Sequence, residues 1–546
     1  MSKRRSPEFD LAVAVRAGGF TPRAEDVPAL VAHLATEDET FARGVERALE
    51  QVADVALPAA LEMLATEPPR GRAGIARLCG RLAPSLDAEA RSSAVAGLCA
   101  LLADSEPRVR RHAATALAKL GDPAAEPALL ACLAEERATP ERRAMVEALG
   151  RVGSAKAADA LRSRRAQADA IEQAAIDEAL LRLARVGARA QGGGVAIERS
   201  LAGPVRVLWR CRSGLEALLA EETGGNVVGA GRVEGSSGDG TVADVAKARI
   251  ALDLAFLLDP VPAGADAAAA AAEAISSPGA LAIFSALGAP PHRYRIGWIG
   301  GGHRRADTRR VATLVAARRP ELVNDPRDAP WEARIVERDG SVRVELEPRG
   351  AQDDRFAYRV ADVPAASHPT VAAALVRAAG IRADDVVWDP FVGSGVELVE
   401  RALAGPYAEL VGTDLDEHAL DAARANIAAA GVQGVSLLQA DARSFTPPRA
   451  PTLVLTNPPL GRRHEGGDPL ASLLDGLVDR VADLLAPGGR FVWISPHGGR
   501  TADRARDAGL ELELRQVVDM GGFEAELQRF GARLRSRRRS AERSQS

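Results

Sequence analysis

Val386-Val387-Trp388-Asp389-Pro390-Phe391-Val392-Gly393-Ser394-Gly395 opens the last third of a 546-residue chain. An apolar run ends on an aspartate, and a glycine-rich turn then leads into an amphipathic stretch at 396–404. Glycines there let the backbone approach a ligand closely, and a helix N-terminus behind them supplies oriented N–H donors. By itself such a turn would suit many nucleotides.

Downstream, strand-like and helix-like segments alternate at 385–389, 396–404, 409–413, 417–430, 435–439 and 452–456. An amphipathic helix at 469–485, a strand at 490–494 and a closing pair at 510–518 and 523–530 follow. The alternation predicts an α/β doubly wound parallel sheet, with the last two strands as an edge hairpin. Ligands bind at the carboxyl ends of such strands. Four features fall there: Asp389, Asp414, Asp441 and Asn457-Pro458-Pro459. A carboxylate at the end of the second strand can accept both hydroxyls of a ribose.

Asn-Pro-Pro carries its own chemistry. Two prolines stiffen the turn, leaving the Asn457 side-chain oxygen and the Pro458 carbonyl as fixed acceptors. Two acceptors suit a planar exocyclic NH2, because taking both hydrogens frees the nitrogen lone pair for in-line attack. DNA adenine and protein glutamine present the same kind of amine, so the acceptor stays open at this point.

Upstream, Ala116-Leu117-Ala118-Lys119-Leu120-Gly121 is echoed by Ala148-Leu149-Gly150-Arg151-Val152-Gly153 and by Leu183-Ala184-Arg185-Val186-Gly187. Repeats at that spacing, each closing an amphipathic segment on a glycine, predict an α-solenoid over 1–190 with Gly121, Gly153 and Gly187 ending helices. Pro107 and Pro140 suit first helical turns. Gly192-Gly193-Gly194 suggests a linker at 191–204. Residues 205–261 follow as a small α+β unit, with a strand at 205–211, a helix near 214–222 and a second helix at 242–258. Another α+β unit is expected at 262–363, with a strand at 293–299, a helix at 307–317 and a strand at 342–346. Within 292–319 stand eight arginines (Arg293, Arg295, Arg304, Arg305, Arg309, Arg310, Arg318 and Arg319) against Asp307 alone, with Tyr294 and Trp298 interleaved. Arginines among aromatics suit phosphate contact and base stacking, although a solvated helix face has the same composition.

Lysine and arginine total 70 against 74 acidic residues, so a net charge of −4 excludes a polycation and confines nucleic-acid contact to a local patch. Hydrophobic residues at 47% exclude global disorder. The four cysteines form no CxxC or Cys/His set, which argues against zinc and disulfides; Cys211 reads as packing. His418, His464 and His497 share no metal-like spacing, and no metal is expected. The start MSKRRSPEFD lacks a secretory core, and no run of 18 apolar residues occurs. A cytoplasmic protein without membrane contact is the expectation.

The strand-end set D-P-F-V-G-S-G, Asp414, A-D-A and N-P-P-x-G resembles class I methyltransferases that use S-adenosylmethionine. Ser213-Gly214-Leu215-Glu216-Ala217-Leu218-Leu219 and the join at Tyr358-Arg359, Pro364 and His368-Pro369-Thr370 narrow the resemblance to THUMP-domain RNA guanine-N2 methyltransferases, here behind HEAT-like repeats. The resemblance implies a ferredoxin-like subdomain at 205–261, a THUMP-like RNA-binding domain at 262–363, a Rossmann-like methyltransferase domain at 364–532 and a basic, disordered tail at 533–546. It implies S-adenosylmethionine held by Asp389, Phe391, Gly393, Gly395, Asp414 and Asp441. Asn457, Pro458 and Leu460 would be catalytic, and Arg293, Arg295, Arg304, Arg305, Arg309 and Arg310 would grip RNA, either tRNA or rRNA. Relatives carry an aromatic where this chain has Leu460. A non-catalytic RNA-binding scaffold with a protein partner on its repeats is the other reading.

Overall fold

The structure is a computed structural model that describes residues 9–17, 20–264, 266–300, 302, 304–349, 353–364, 366–459 and 469–532. Leu460, Gly461, Arg463, His464 and the basic tail at 533–546 lie outside the described residues. The chain forms two compact units. One comprises the residues up to Gly193 with Pro290–Arg295 and Gly302–Ala329; the other comprises Gly194–Ala289, Ile296–Gly301 and the residues from Pro330 onward.

The first unit is an array of helices, among them Pro69–Leu82, Pro107–Leu120, Thr139–Val152 and Ala170–Ala190. Pro107 and Pro140 sit in first turns, where a missing N–H costs nothing. One continuous apolar core runs from Val15 to Ala179. Helices of successive repeats pack closely because small residues face each other: a Cβ on Gly150 would lie 2.8 Å from the Ala179 Cα. Arginines also bridge one repeat to another, with Arg77 on Glu46 at 2.8 Å, Arg110 on Glu136 at 2.7 Å and Arg142 on Glu172 at 2.9 Å. Gly121 ends its helix in the left-handed conformation at φ +69°, as expected. Gly187 does not end a helix. The last helix continues to Ala190, placing Arg185 and Arg189 one turn apart. Arg185 donates to the Asn324 carbonyl at 2.6 Å and Arg189 pairs with Asp325, so the segment around Leu322–Asn324 belongs with the repeats.

Beyond the repeats, strands β1 (Arg206–Arg210), β2 (Asn226–Gly229), β3 (Arg232–Ser236), β4 (Asp253–Leu257) and β5 (Val261–Pro262) precede β6 (His292–Ile299), β7 (Leu322–Asn324), β8 (Trp331–Arg338) and β9 (Ser341–Pro348); β7 and the start of β6 belong to the first unit and the others to the second. The chain passes between the two units within β6. The order β2-β3-β1-β4-β9-β8 joins strands expected in two separate α+β units, since β4 pairs with β9 through Phe256 and Leu346. The helix expected at 242–258 stops at Ala246, and the rest becomes β4, which buries Leu254, Ala255 and Phe256 beside β1. Part of the expected linker is bound here too: Ala196 N–H donates to the Leu287 carbonyl at 2.8 Å and Ala243 N–H to Ile197 at 2.7 Å.

Strands β10 (Val386–Asp389), β11 (Glu409–Asp414), β12 (Val435–Gln439), β13 (Leu453–Thr456), β14 (Arg490–Ser495), β15 (Leu510–Asp519) and β16 (Glu524–Ala532) form the C-terminal sheet in the order β12-β11-β10-β13-β14-β16-β15. The first five are parallel, and β16 inserts antiparallel between β14 and β15. Chain direction along the sheet reverses between β10 and β13. Helices leave opposite faces there, opening a crevice at the strands' carboxyl ends.

At the opposite, amino end, Asp385 is fully buried between two arginines. Arg490 donates to both its oxygens at 2.9 Å, Arg401 reaches it at 2.9 Å and the Thr452 hydroxyl at 3.0 Å. Burial opposes that charge, yet the hydrogen bonds from Arg490 and then Arg401 hold the carboxyl down at about 2. Removing it leaves buried guanidiniums unbalanced. Asp385→Asn is therefore expected to lower the stability of the C-terminal sheet by about 3–5 kcal/mol, read as a lower urea midpoint. The wild-type contribution is present above the unfolded carboxyl's pKa of about 3.9. It is lost as the pH falls toward about 2.

Candidate active site

The carboxyl ends of β10, β11, β12 and β13 surround a cavity of about 450 Å³, and among its lining residues are Phe391, Gly393, Asp414, Asp441, Asn457 and Pro458. The structure thus brings together all four stretches of the strand-end set.

Val392, Gly393 and Gly395 form the turn behind β10. Gly393 (φ +50°) and Gly395 (φ +80°) both need the left-handed conformation, and a Cβ on Gly395 would lie 3.3 Å from the Ala423 Cα. Gly393 N–H donates to Asp414 Oδ2 at 3.0 Å, and Asp416 N–H to Asp414 Oδ1 at 3.0 Å. Each Asp414 oxygen keeps acceptor capacity beyond its one backbone donor, as a diol requires. Asn426, buried on the following helix, donates to the Ser394 carbonyl at 2.9 Å and to Ala361 at 2.8 Å, tying the glycine turn to the entry segment.

Asp389 is fully buried. Its Oδ1 accepts from Phe391 N–H at 3.1 Å, whereas Oδ2 has no hydrogen-bond partner. Burial, and next the Glu397 carboxylate, raise its pKa well above the usual range. Asp441 lines the cavity at a more exposed position, where Arg443 grips its carboxylate at 2.6 Å and holds its pKa below the usual value. An adenine amine on Asp441 would share that carboxylate with Arg443.

Asn457 follows β13 directly. Its Nδ2 donates to Ser367 Oγ at 2.8 Å, and Ser367 Oγ in turn donates to Glu397 Oε1. Asn457 Oδ1 and Ser394 Oγ are buried and without a partner. Bare acceptors in a cavity wall cost free energy unless a ligand meets them. Burial pushes Glu397 up to about 7 despite the hydrogen bond from Ser367. Ser367, Glu397, Asn426 and Arg443 all escaped the sequence reading. The signal available for Glu397 was a charge within the otherwise apolar start of Val396–Ala404.

The arginine patch behaves differently from expectation. Arg293 is 6% exposed, with its guanidinium held by the Asp328 carbonyl at 2.5 Å and carboxylate at 2.9 Å, so it is a structural tie and not an RNA ligand. Tyr294 is wholly buried and cannot stack on a base. Arg309 lies exposed but pairs with Glu178 at 3.0 Å, and Arg304 pairs with Asp307 at 3.4 Å. Arg295 is half-buried, while Arg305 and Arg310 are exposed on the helix Arg305–Arg318. Burial pushes the Cys211 thiol up to about 12, in keeping with packing. Among the described residues no cluster of histidine, cysteine and acidic side chains could hold a metal. Nor is any single helix there long and apolar enough to cross a membrane.

Residues 357–524 match the family model of the RMKL-like methyltransferase domain, and residues 57–149 and 95–180 match HEAT repeats. Over 157 residues the chain is 36% identical to a tRNA (guanine(6)-N2)-methyltransferase of Thermus thermophilus, covering 28% of this chain and 46% of that protein. Over 135 residues it is 29% identical to a tRNA (guanine(10)-N2)-dimethyltransferase of Methanothermobacter thermautotrophicus, covering 24% and 40% respectively. The chain thus spans less than half the length of these curated relatives. The crystal structure of TrmN from Thermus thermophilus aligns at 24% identity with a TM-score of 0.49, over 60% of this chain and 99% of that one. The likeness to the RMKL-like methyltransferase domain thus falls on the C-terminal sheet and its cavity, and the likeness to HEAT repeats on the N-terminal helices.

Proposed function

We propose that this protein transfers a methyl group from S-adenosylmethionine to an exocyclic amine of an RNA base, the N2 of guanosine in tRNA or in large-subunit rRNA. The observation that carries the reading is the buried, unpartnered Asn457 Oδ1 on the wall of a cavity that also holds Asp414 and the glycine turn. The guanine-N2 specificity in the names of the tRNA-modifying relatives supports the choice of amine.

The residues present fit the cofactor. Asp414 offers two carboxylate oxygens for a ribose diol, Gly393 leaves open the space a Cβ would fill, and Ser394 Oγ on the cavity wall awaits a polar partner. When bound, S-adenosylmethionine supplies an electrophilic methyl group on a sulfonium. Asn457 Oδ1 and the Pro458 carbonyl accept the two hydrogens of the target amine, which holds it in place and favours a pyramidal nitrogen whose lone pair is free. That stabilisation grows as the amine turns toward its transition state, so it raises kcat rather than affinity. The amine needs no strong base beforehand, because its proton can pass to water once the new bond has formed.

A THUMP-like module in 205–363 and the exposed Arg305 and Arg310 would hold the RNA backbone and present an unstacked base. On this reading the protein works in the cytoplasm, with RNA as substrate and the HEAT repeats available to a protein partner.

Asn457→Ala is expected to lower kcat for methyl transfer by about 100- to 1000-fold, the scale of losing one transition-state hydrogen-bond partner, while S-adenosylhomocysteine still binds. Full turnover by that variant would refute the mechanism. Asp414→Ala is expected to weaken S-adenosylhomocysteine, measured by calorimetry, by about 1.5–3 kcal/mol, because a charged acceptor is lost from a buried ribose. Unchanged affinity would move the cofactor elsewhere. Offering RNA, DNA and protein acceptors side by side tests the substrate class, and label only in DNA or protein would overturn the RNA assignment.

A further inference from the structure

The hydrogen-bond chain from Asn457 through Ser367 to Glu397 has a direction. A serine hydroxyl has one proton to give. Here it gives that proton to Glu397 Oε1, so its oxygen is an acceptor for Asn457 Nδ2, which stands at 2.8 Å. With Nδ2 engaged on that side, the amide is turned so that Oδ1 is left bare. An isolated asparagine amide has no such preference, since its oxygen and nitrogen are nearly equal in size. All three side chains are at most half-exposed, and Ser367 and Glu397 are buried, which strengthens the bonds relative to the same pairs in water.

We propose that Ser367 and Glu397 are positioning residues for methyl transfer, and that the ionised Glu397 carboxylate fixes the orientation in which Asn457 presents its oxygen to the substrate amine. This rests on the methyl-transfer reading above. Ionised Glu397 can only accept. Once protonated, it can donate to Ser367 Oγ, which releases the serine proton to turn toward Asn457. The asparagine amide then loses its reason to keep its oxygen bare, and in the flipped orientation it offers N–H groups to an amine that needs acceptors.

The groups around Glu397 place that protonation within reach of physiological pH. On its own helix, Glu400 repels it, though Glu400 is itself bound by Arg249 at 2.6 Å and by the Tyr358 hydroxyl at 2.7 Å. From β10 comes the buried Asp389, a carboxyl that the Glu397 charge helps to raise. From the entry segment, Arg359 favours the ionised form but also pairs with Asp362 at 2.6 Å. Burial is the largest influence and pushes Glu397 up to about 7. The active form is the ionised one, so turnover is present above that value and declines as the pH falls through it.

The test combines infrared difference spectroscopy on the full chain with steady-state methyl transfer, both followed across the neutral pH range. The expected spectrum contains a protonated-carboxyl band that titrates near neutrality, disappears in Glu397→Gln and moves to higher pH in Ser367→Ala, where the carboxylate loses its donor. In turnover, kcat of the wild type should show an acid limb with the same midpoint. Ser367→Ala should lower kcat by about 10- to 100-fold, the scale of a misplaced catalytic group, with S-adenosylhomocysteine affinity unchanged. Glu397→Gln should abolish the acid limb. The proposal is overturned if no titrating band is lost in Glu397→Gln, if Ser367→Ala keeps full kcat, or if the acid limb survives in Glu397→Gln. If the band behaves as expected but the wild type methylates no acceptor, the hydrogen-bond chain stands and the methyl-transfer reading fails.

Discussion

Asp385, clamped between Arg401 and Arg490 in a fully buried cage, is the constraint on which the C-terminal site depends. It fastens the amino ends of three adjacent strands, because its own residue leads into β10, Thr452 leads into β13 and Arg490 begins β14. Buried ion pairs of this kind are poor sources of net stability, but they penalise every arrangement that leaves one partner alone. A parallel strand slipped by one residue would turn each side chain to the other face. With the amino ends locked, β10 pairs with β13 through Val387 and Leu453, and the turn after Asp389 and Asn457 emerge at the same cavity at the far end. The reactive end can then carry unpartnered polar atoms that the fold itself does not need.

Those atoms share a logic. Ser394 Oγ and Asn457 Oδ1 are buried without partners in the wall of one cavity, and Asp389 Oδ2 is bare at the end of β10, each at a cost that a packed domain would ordinarily avoid. Next to them, burial raises both Asp389 and Glu397, with the Glu397 charge adding to the rise at Asp389 and the Glu400 charge to that at Glu397, so the site concentrates unmet hydrogen-bonding capacity. A bound cofactor and a planar amine offer the missing donors. Such strain in a binding site, compensated by tight bonding elsewhere, is the pattern expected where function and stability compete.

The sheet and its ligand-binding end were legible in the sequence because their signals are local. Apolar runs ending in Asp389, Asp414 and Asn457 recur at βα spacing, and both glycines of the turn prove to need positive φ. Positioning side chains were not legible, since Ser367 lies 90 residues from Asn457 and meets it only through the fold. Charge misled for a related reason. Arginines crowd 292–319, but Arg293 is spent on Asp328 and Arg309 on Glu178, partners that no reading of that stretch could reveal. The stretch at 242–258 has helical composition, yet pairing with β1 turns its end into β4, a case of tertiary context overriding propensity.

The central claim is that this cavity methylates the exocyclic amine of guanosine in RNA. It is tested most directly by incubating the full chain and isotope-labelled S-adenosylmethionine with undermodified tRNA and ribosomal RNA, then identifying labelled nucleosides by mass spectrometry. The account predicts label in N2-methylguanosine from one RNA class. Label confined to another nucleoside, or no label in any RNA while the cofactor still binds, would contradict it.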